Sequence, residues 1–69
     1  MTQSIYYGDK CIAITDSNFV PRSNEEIEID GIRYCVDNIR YRTLLINEGI
    51  NSHVITGVDI KVDKLGRLF

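Results

Sequence analysis

Apolar residues recur at every second position along most of this chain, in runs bounded by turn formers. A period of two places alternate side chains on opposite faces of a strand. The clearest run is residues 25–36, where Ile27, Ile29, Ile32, Tyr34 and Val36 alternate with Glu26, Glu28, Arg33 and Cys35 around Asp30-Gly31. Asp-Gly supplies the positive φ that both central positions of a type I′ turn demand. The pattern predicts a hairpin with Ile29 opposite Ile32 and Ile27 opposite Tyr34. Its second face sets Glu28 opposite Arg33.

Beyond Val36 the apolar phase shifts from even to odd positions, at Ile39 and Tyr41. One extra residue at Asp37-Asn38, a β-bulge, keeps both sets facing the core and bends the strand. The chain runs on through Thr43-Leu44-Leu45-Ile46, turns within residues 47–52 and returns through residues 54–63. There Val58, Ile60 and Val62 point inward, and Gly57 marks a bulge or a close backbone approach. Residues 10–14 read as a further strand after Tyr6-Tyr7-Gly8-Asp9. Residues 16–24, which hold the single proline, Pro21, read as an irregular loop. No window sustains helical spacing, so no amphipathic helix is available to cover a sheet. The expectation is an all-β chain: one small domain over residues 1–69, an SH3-like or OB-like barrel of about five antiparallel strands.

Composition narrows the class. The chain has 69 residues, 43% of them hydrophobic and 26% charged, with a net charge of −2. This much apolar content argues against disorder, and no apolar run approaches the ~20 residues of a membrane-spanning helix. Neither a secretory leader nor a membrane partner is expected, and the acidic balance gives nucleic acid no general electrostatic attraction. Cys11 and Cys35 each sit in an apolar stretch and are expected to be reduced, intracellular and packed as small hydrophobes.

Candidate chemistry is sparse. His53, the one histidine, lies in the polar turn Asn51-Ser52-His53, where a solvated ring is expected rather than a catalytic base. Cys11, Cys35 and His53 lack the short paired spacing of a zinc site. Neither catalytic residues nor a metal or other cofactor are therefore expected. Glu25, Glu26, Glu28 and Asp30 put four carboxylates within six residues, which suits either a solvated strand face or an acidic docking patch. Arg33, Arg40 and Arg42 interleave with Tyr34 and Tyr41. Alternation puts the tyrosines on the opposite face, in the core, so the stacking surface of a single-strand binder is not formed. Tyr6 and Tyr7, being adjacent, must point to opposite faces.

Residues 20–41, about a third of the chain, run Val20-Pro21, the alternating strand Glu26-Ile27-Glu28-Ile29, Asp30-Gly31, then Tyr34-x-Val36-x-x-Ile39-x-Tyr41. This pattern resembles small all-β proteins encoded by bacteriophages and prophages. The resemblance implies a virion-assembly accessory or an inhibitor of a host protein, placed in the host cytoplasm or the virion. It carries no catalytic residue, and Ser23-Asn24 stands where the pattern usually has a glycine before the glutamates. The expected function is a non-enzymatic protein-interaction module. The alternative is an OB-like or SH3-like nucleic-acid-binding module. Candidate protein-binding residues are Tyr7, Phe19, Glu26, Glu28, Leu45 and Phe69. A core this small and the consecutive Leu44-Leu45-Ile46 predict a homo-oligomer, a dimer first, built on an edge strand with Leu45 or Phe69.

Overall fold

The structure is a computed structural model that describes residues 1–47, 49–50 and 52–67. It is all-β. Five strands, β1 (Thr2–Tyr7), β2 (Lys10–Asp16), β3 (Glu26–Ile29), β4 (Ile32–Asn47) and β5 (Ser52–Arg67), form one sheet in the order β2-β1-β5-β4-β3. The sheet curls into a half-barrel, a small barrel-like fold.

The Asp30-Gly31 hairpin has the expected register, Ile29 opposite Ile32 and Ile27 opposite Tyr34. Asp30 and Gly31 take φ of 52° and 80°, as a type I′ turn requires. The charged face differs in one detail. Arg33 lies opposite Glu28 in register, but its guanidinium reaches diagonally to Glu26, with Nη2 at 2.9 Å from Oε1 and Nε at 3.3 Å from Oε2. The diagonal neighbour is within reach of a long side chain, and the fork geometry favours a bidentate partner.

The long β4–β5 ladder carries the rest. Asp37 is the extra residue between Val36, opposite Val62, and Asn38, opposite Lys61. The bulge expected from the phase shift is therefore present. Val58, Ile60 and Val62 face inward and are buried, joined by Ile5, Tyr34 and Val36. Tyr41, expected in the core, lies opposite Val58 but is about half exposed, because the sheet has narrowed by that point. Gly57 meets both expectations for it. The register slips beside it, between Arg42 and Thr43, and a Cβ there would press on the Arg42 guanidinium and sit 3.2 Å from the Thr2 carbonyl oxygen.

Three features depart from the sequence reading. Thr2–Tyr7 is a strand in its own right, placed inside the sheet, and it pairs in parallel with β5, Thr2 opposite Gly57 through Tyr6 opposite Lys61. The chain from Ile32 to Asn47 is one continuous strand rather than two. Cys11 is exposed rather than packed. The reason for the last is a register shift between Ile5 and Tyr6 of β1, which leaves Ile12 as the extra residue of β2. Ile12 and Ala13 then take the half-buried positions, and Cys11 is turned outward opposite Tyr6. Cys35 is half-buried, and both thiols are free.

β4 and β5 outrun their neighbours. β1 meets β5 only from Gly57 onward, and β3 meets β4 only as far as Cys35. Residues 43–47 and 52–56 therefore project as a two-stranded arm, with Leu44, Leu45, Ile46, Ile50, Val54 and Ile55 exposed. The long axis of 54 Å against 21 and 18 Å records this arm, and so does the 14.2 Å radius of gyration, where a compact chain of this length has about 11 Å.

The turn geometry sets a mutational expectation. Gly31→Val forces a β-branched side chain into the left-handed region, which should cost more than ~1 kcal/mol. Thermal denaturation checks it, and an unchanged midpoint would contradict the turn assignment.

Candidate functional site

The curl leaves the sheet's two edge strands, β2 and β3, unjoined to each other. An open cleft of about 600 Å³ lies along this seam, within the ~300–1,000 Å³ range of binding clefts. Ile5 of β1 and Ala13 of β2 form its floor, with Val20 and Pro21 of the β2–β3 loop at one end. Every residue of β3, of either parity, lines it. The edge of that strand, with its backbone donors and acceptors, therefore faces the opening.

Residues 17–25 are held across the cleft by a few polar ties. Ser17 N–H donates to the Met1 carbonyl at 3.1 Å. At the far end, Asn24 N–H donates to the Val36 carbonyl and Val36 N–H to the Glu25 carbonyl, each at 2.8 Å. Asn24 sits at φ 73°, a conformation that Asn tolerates better than most residues. In the middle Gln3 does the work. Its side chain is buried, and Nε2 donates to the carbonyls of Ser17, at 3.2 Å, and Phe19. Sequence reading missed Gln3. The available signal was a polar residue in inward phase with Ile5, which a strand tolerates only where its amide is satisfied.

The expected site residues divide between places. Phe19, 87% exposed, stands at the cleft mouth, and Glu26 and Glu28 line the β3 side. Leu45 lies away from them on the arm, and Tyr7 packs edge-on against Tyr34 with ring centroids 6.1 Å apart. Phe69 lies outside the described residues. Around the cleft, the Glu26 hydrogen bond and charge hold the Arg33 guanidinium above its ordinary value. At the loop's start, the N-terminal ammonium, 2.9 Å from Asp16 Oδ1, holds that carboxyl below its ordinary value.

The opposite face of the sheet is polar. Asp59, its side chain only 14% exposed, accepts from Arg40 Nη2 at 3.0 Å and lies 3.4 Å from Arg42 Nε. All three arginines of the basic aromatic segment are therefore engaged by carboxylates, Arg33 by Glu26 and the other two by Asp59. Among the described residues, no group of three or more His, Cys, Asp or Glu is arranged to hold a metal ion. Nor do the described residues include a helix long and apolar enough to cross a membrane.

No family model, curated protein or solved structure matches the chain.

Gln3→Leu should release the loop. The change leaves two carbonyls without their donor, for a loss of about 1–2 kcal/mol, and amide exchange should quicken in residues 17–20 but not in β5. Equal protection of that loop in both proteins would show that Gln3 does not hold it.

Proposed function

We propose that the chain is a non-enzymatic protein-interaction module whose open seam takes an extended segment of another protein. The carrying observation is the cleft between β2 and β3, with an apolar floor, an unpaired strand edge facing into it and carboxylates along one side. An added strand satisfies backbone groups of such an edge, and alternate side chains of that strand enter the cleft. Glu25, Glu26 and Glu28 lie along it; the Arg33 guanidinium pairs with Glu26, and Glu25 Oε1 accepts the Arg22 backbone N–H, which brings no neutralising charge, so the favoured segment alternates apolar and basic residues. Phe19 is the mouth residue suited to serve as an anchor, since exposed aromatics carry a large share of interface energy. The engagement of Arg33, Arg40 and Arg42 by carboxylates supports a protein partner over nucleic acid. In the setting that the phage resemblance of residues 20–41 implies, the segment belongs to a virion component or a host protein.

The reading is tested by titrating the labelled chain with two synthetic peptides, one alternating Lys with Val and one alternating Glu with Val. The Lys/Val peptide should shift backbone amide resonances of β2 and β3, and Phe19→Ser should weaken it about tenfold, a change of ~1.4 kcal/mol. Amides of both edges unmoved by either peptide at millimolar concentration would sink the reading. So would tight binding of a single-stranded oligonucleotide that fades steeply with salt.

A further inference from the structure

The cleft leaves the arm unexplained. Among the described residues, 43–47 and 52–56 have no strand partner but one another, since β1 begins opposite Gly57 and β3 ends opposite Cys35. Alternation puts Leu45 and Ile55 on one face of this ribbon and Leu44 and Val54 on the other. All four are exposed, and Ile50 beside the turn is 72% exposed. A two-stranded ribbon is marginal in water by itself, and this one carries exposed apolar side chains on both faces. At ~3.4 Å per residue, the five residues of β5 before Gly57 carry the arm about 17 Å past the end of β1, beyond the reach of its own core.

We propose that the arm is a self-association surface and that its occupant is a second copy of this chain, joined edge to edge along β4 about a two-fold axis. Three observations favour a copy over a foreign partner. First, residues 43–56 carry one formal charge, Glu48. A nearly neutral patch can meet itself without like-charge repulsion and offers little for a charged partner to select. Second, among the described residues no strand pairs with the side of β4 away from β5 from Asp37 to Asn47. An open edge of that length is a template for a like strand. Centred on Thr43, antiparallel self-pairing sets Arg42 across from Leu44, Arg40 across from Ile46 and Tyr41 across from Leu45. No two arginines then face each other, and the exposed Tyr41 gains an apolar partner. Third, an isologous contact uses the same patch twice. Each copy brings the exposed Leu44, Leu45, Ile46, Val54 and Ile55 to the contact, and contiguous apolar exposure of this kind marks interaction surfaces.

The self-association surface is separate from the β2–β3 seam, so either proposal can fail alone. Sedimentation from low micromolar to about 500 µM tests it together with Leu44→Lys/Leu45→Glu, which adds one charge to each face and none in sum. The expected wild-type mass is that of two 7.9 kDa chains, with the double variant monomeric, its dissociation constant weakened at least tenfold, and its response to the Lys/Val peptide retained. Should the variant not fold, hydrogen exchange of the wild type decides: amides of residues 39–47 should gain protection with concentration while those of β1 do not. A wild-type monomer at the highest concentration overturns the proposal, even if the peptide or phosphatidylcholine vesicles then protect the arm. A double variant that keeps the wild-type dimer overturns it too, as does arm exchange that ignores concentration.

Discussion

The extra residue at Asp37 lets one strand serve two halves of the sheet. Before it, Tyr34 and Val36 face the core; after it, Ile39 does, opposite Ile60. Without the bulge a strict alternation would turn one of these sets outward. The same irregularity bends β4, and the bend contributes to a curled sheet rather than a flat one. From the curl follows the cleft, because β2 and β3 are brought round toward each other without being joined. The three buried hydrophobic side chains described in β5, Val58, Ile60 and Val62, are the fixed side of this arrangement. β1 docks on them in parallel from one side and β4 from the other.

What local chemistry determines was legible in the sequence. Asp30-Gly31 specifies its turn by sterics alone, and the phase shift after Val36 announces a bulge, because both depend only on neighbouring residues. Alternation likewise placed Val58, Ile60 and Val62 inside. β1 escaped notice because its buried residues include Gln3 and Ser4, which break the apolar pattern, and because its parallel partner is some fifty residues away along the chain. A pairing of that range leaves no local signature. Cys11 was misplaced by a bulge at Ile12 that no phase shift within so short a strand reveals.

The two surfaces differ in how far sequence could reach them. Glu26 and Glu28 stood out by charge and Phe19 by its place in a loop, and the fold brings these three to one cleft with Gln3 behind the loop. Leu44, Leu45 and Ile46 also stood out, but an apolar run reads the same whether it lies in a core or on an unsupported ribbon. Which it is depends on where the neighbouring strands stop, β1 at Thr2 and β3 at Glu26, opposite Cys35. A core of six buried apolar side chains fits a chain that offers its remaining apolar surface to other chains.

The dependence of the whole sheet on one residue's worth of backbone can be measured by comparing deletion of Asp37 with Asp37→Ala. Asp37 is exposed, so the alanine variant should unfold within about 0.5 kcal/mol of wild type. The deletion should abolish the cooperative thermal transition, since either the hairpin or the following strand must present its polar face to the core. A deletion variant that melts like the wild type would contradict the account.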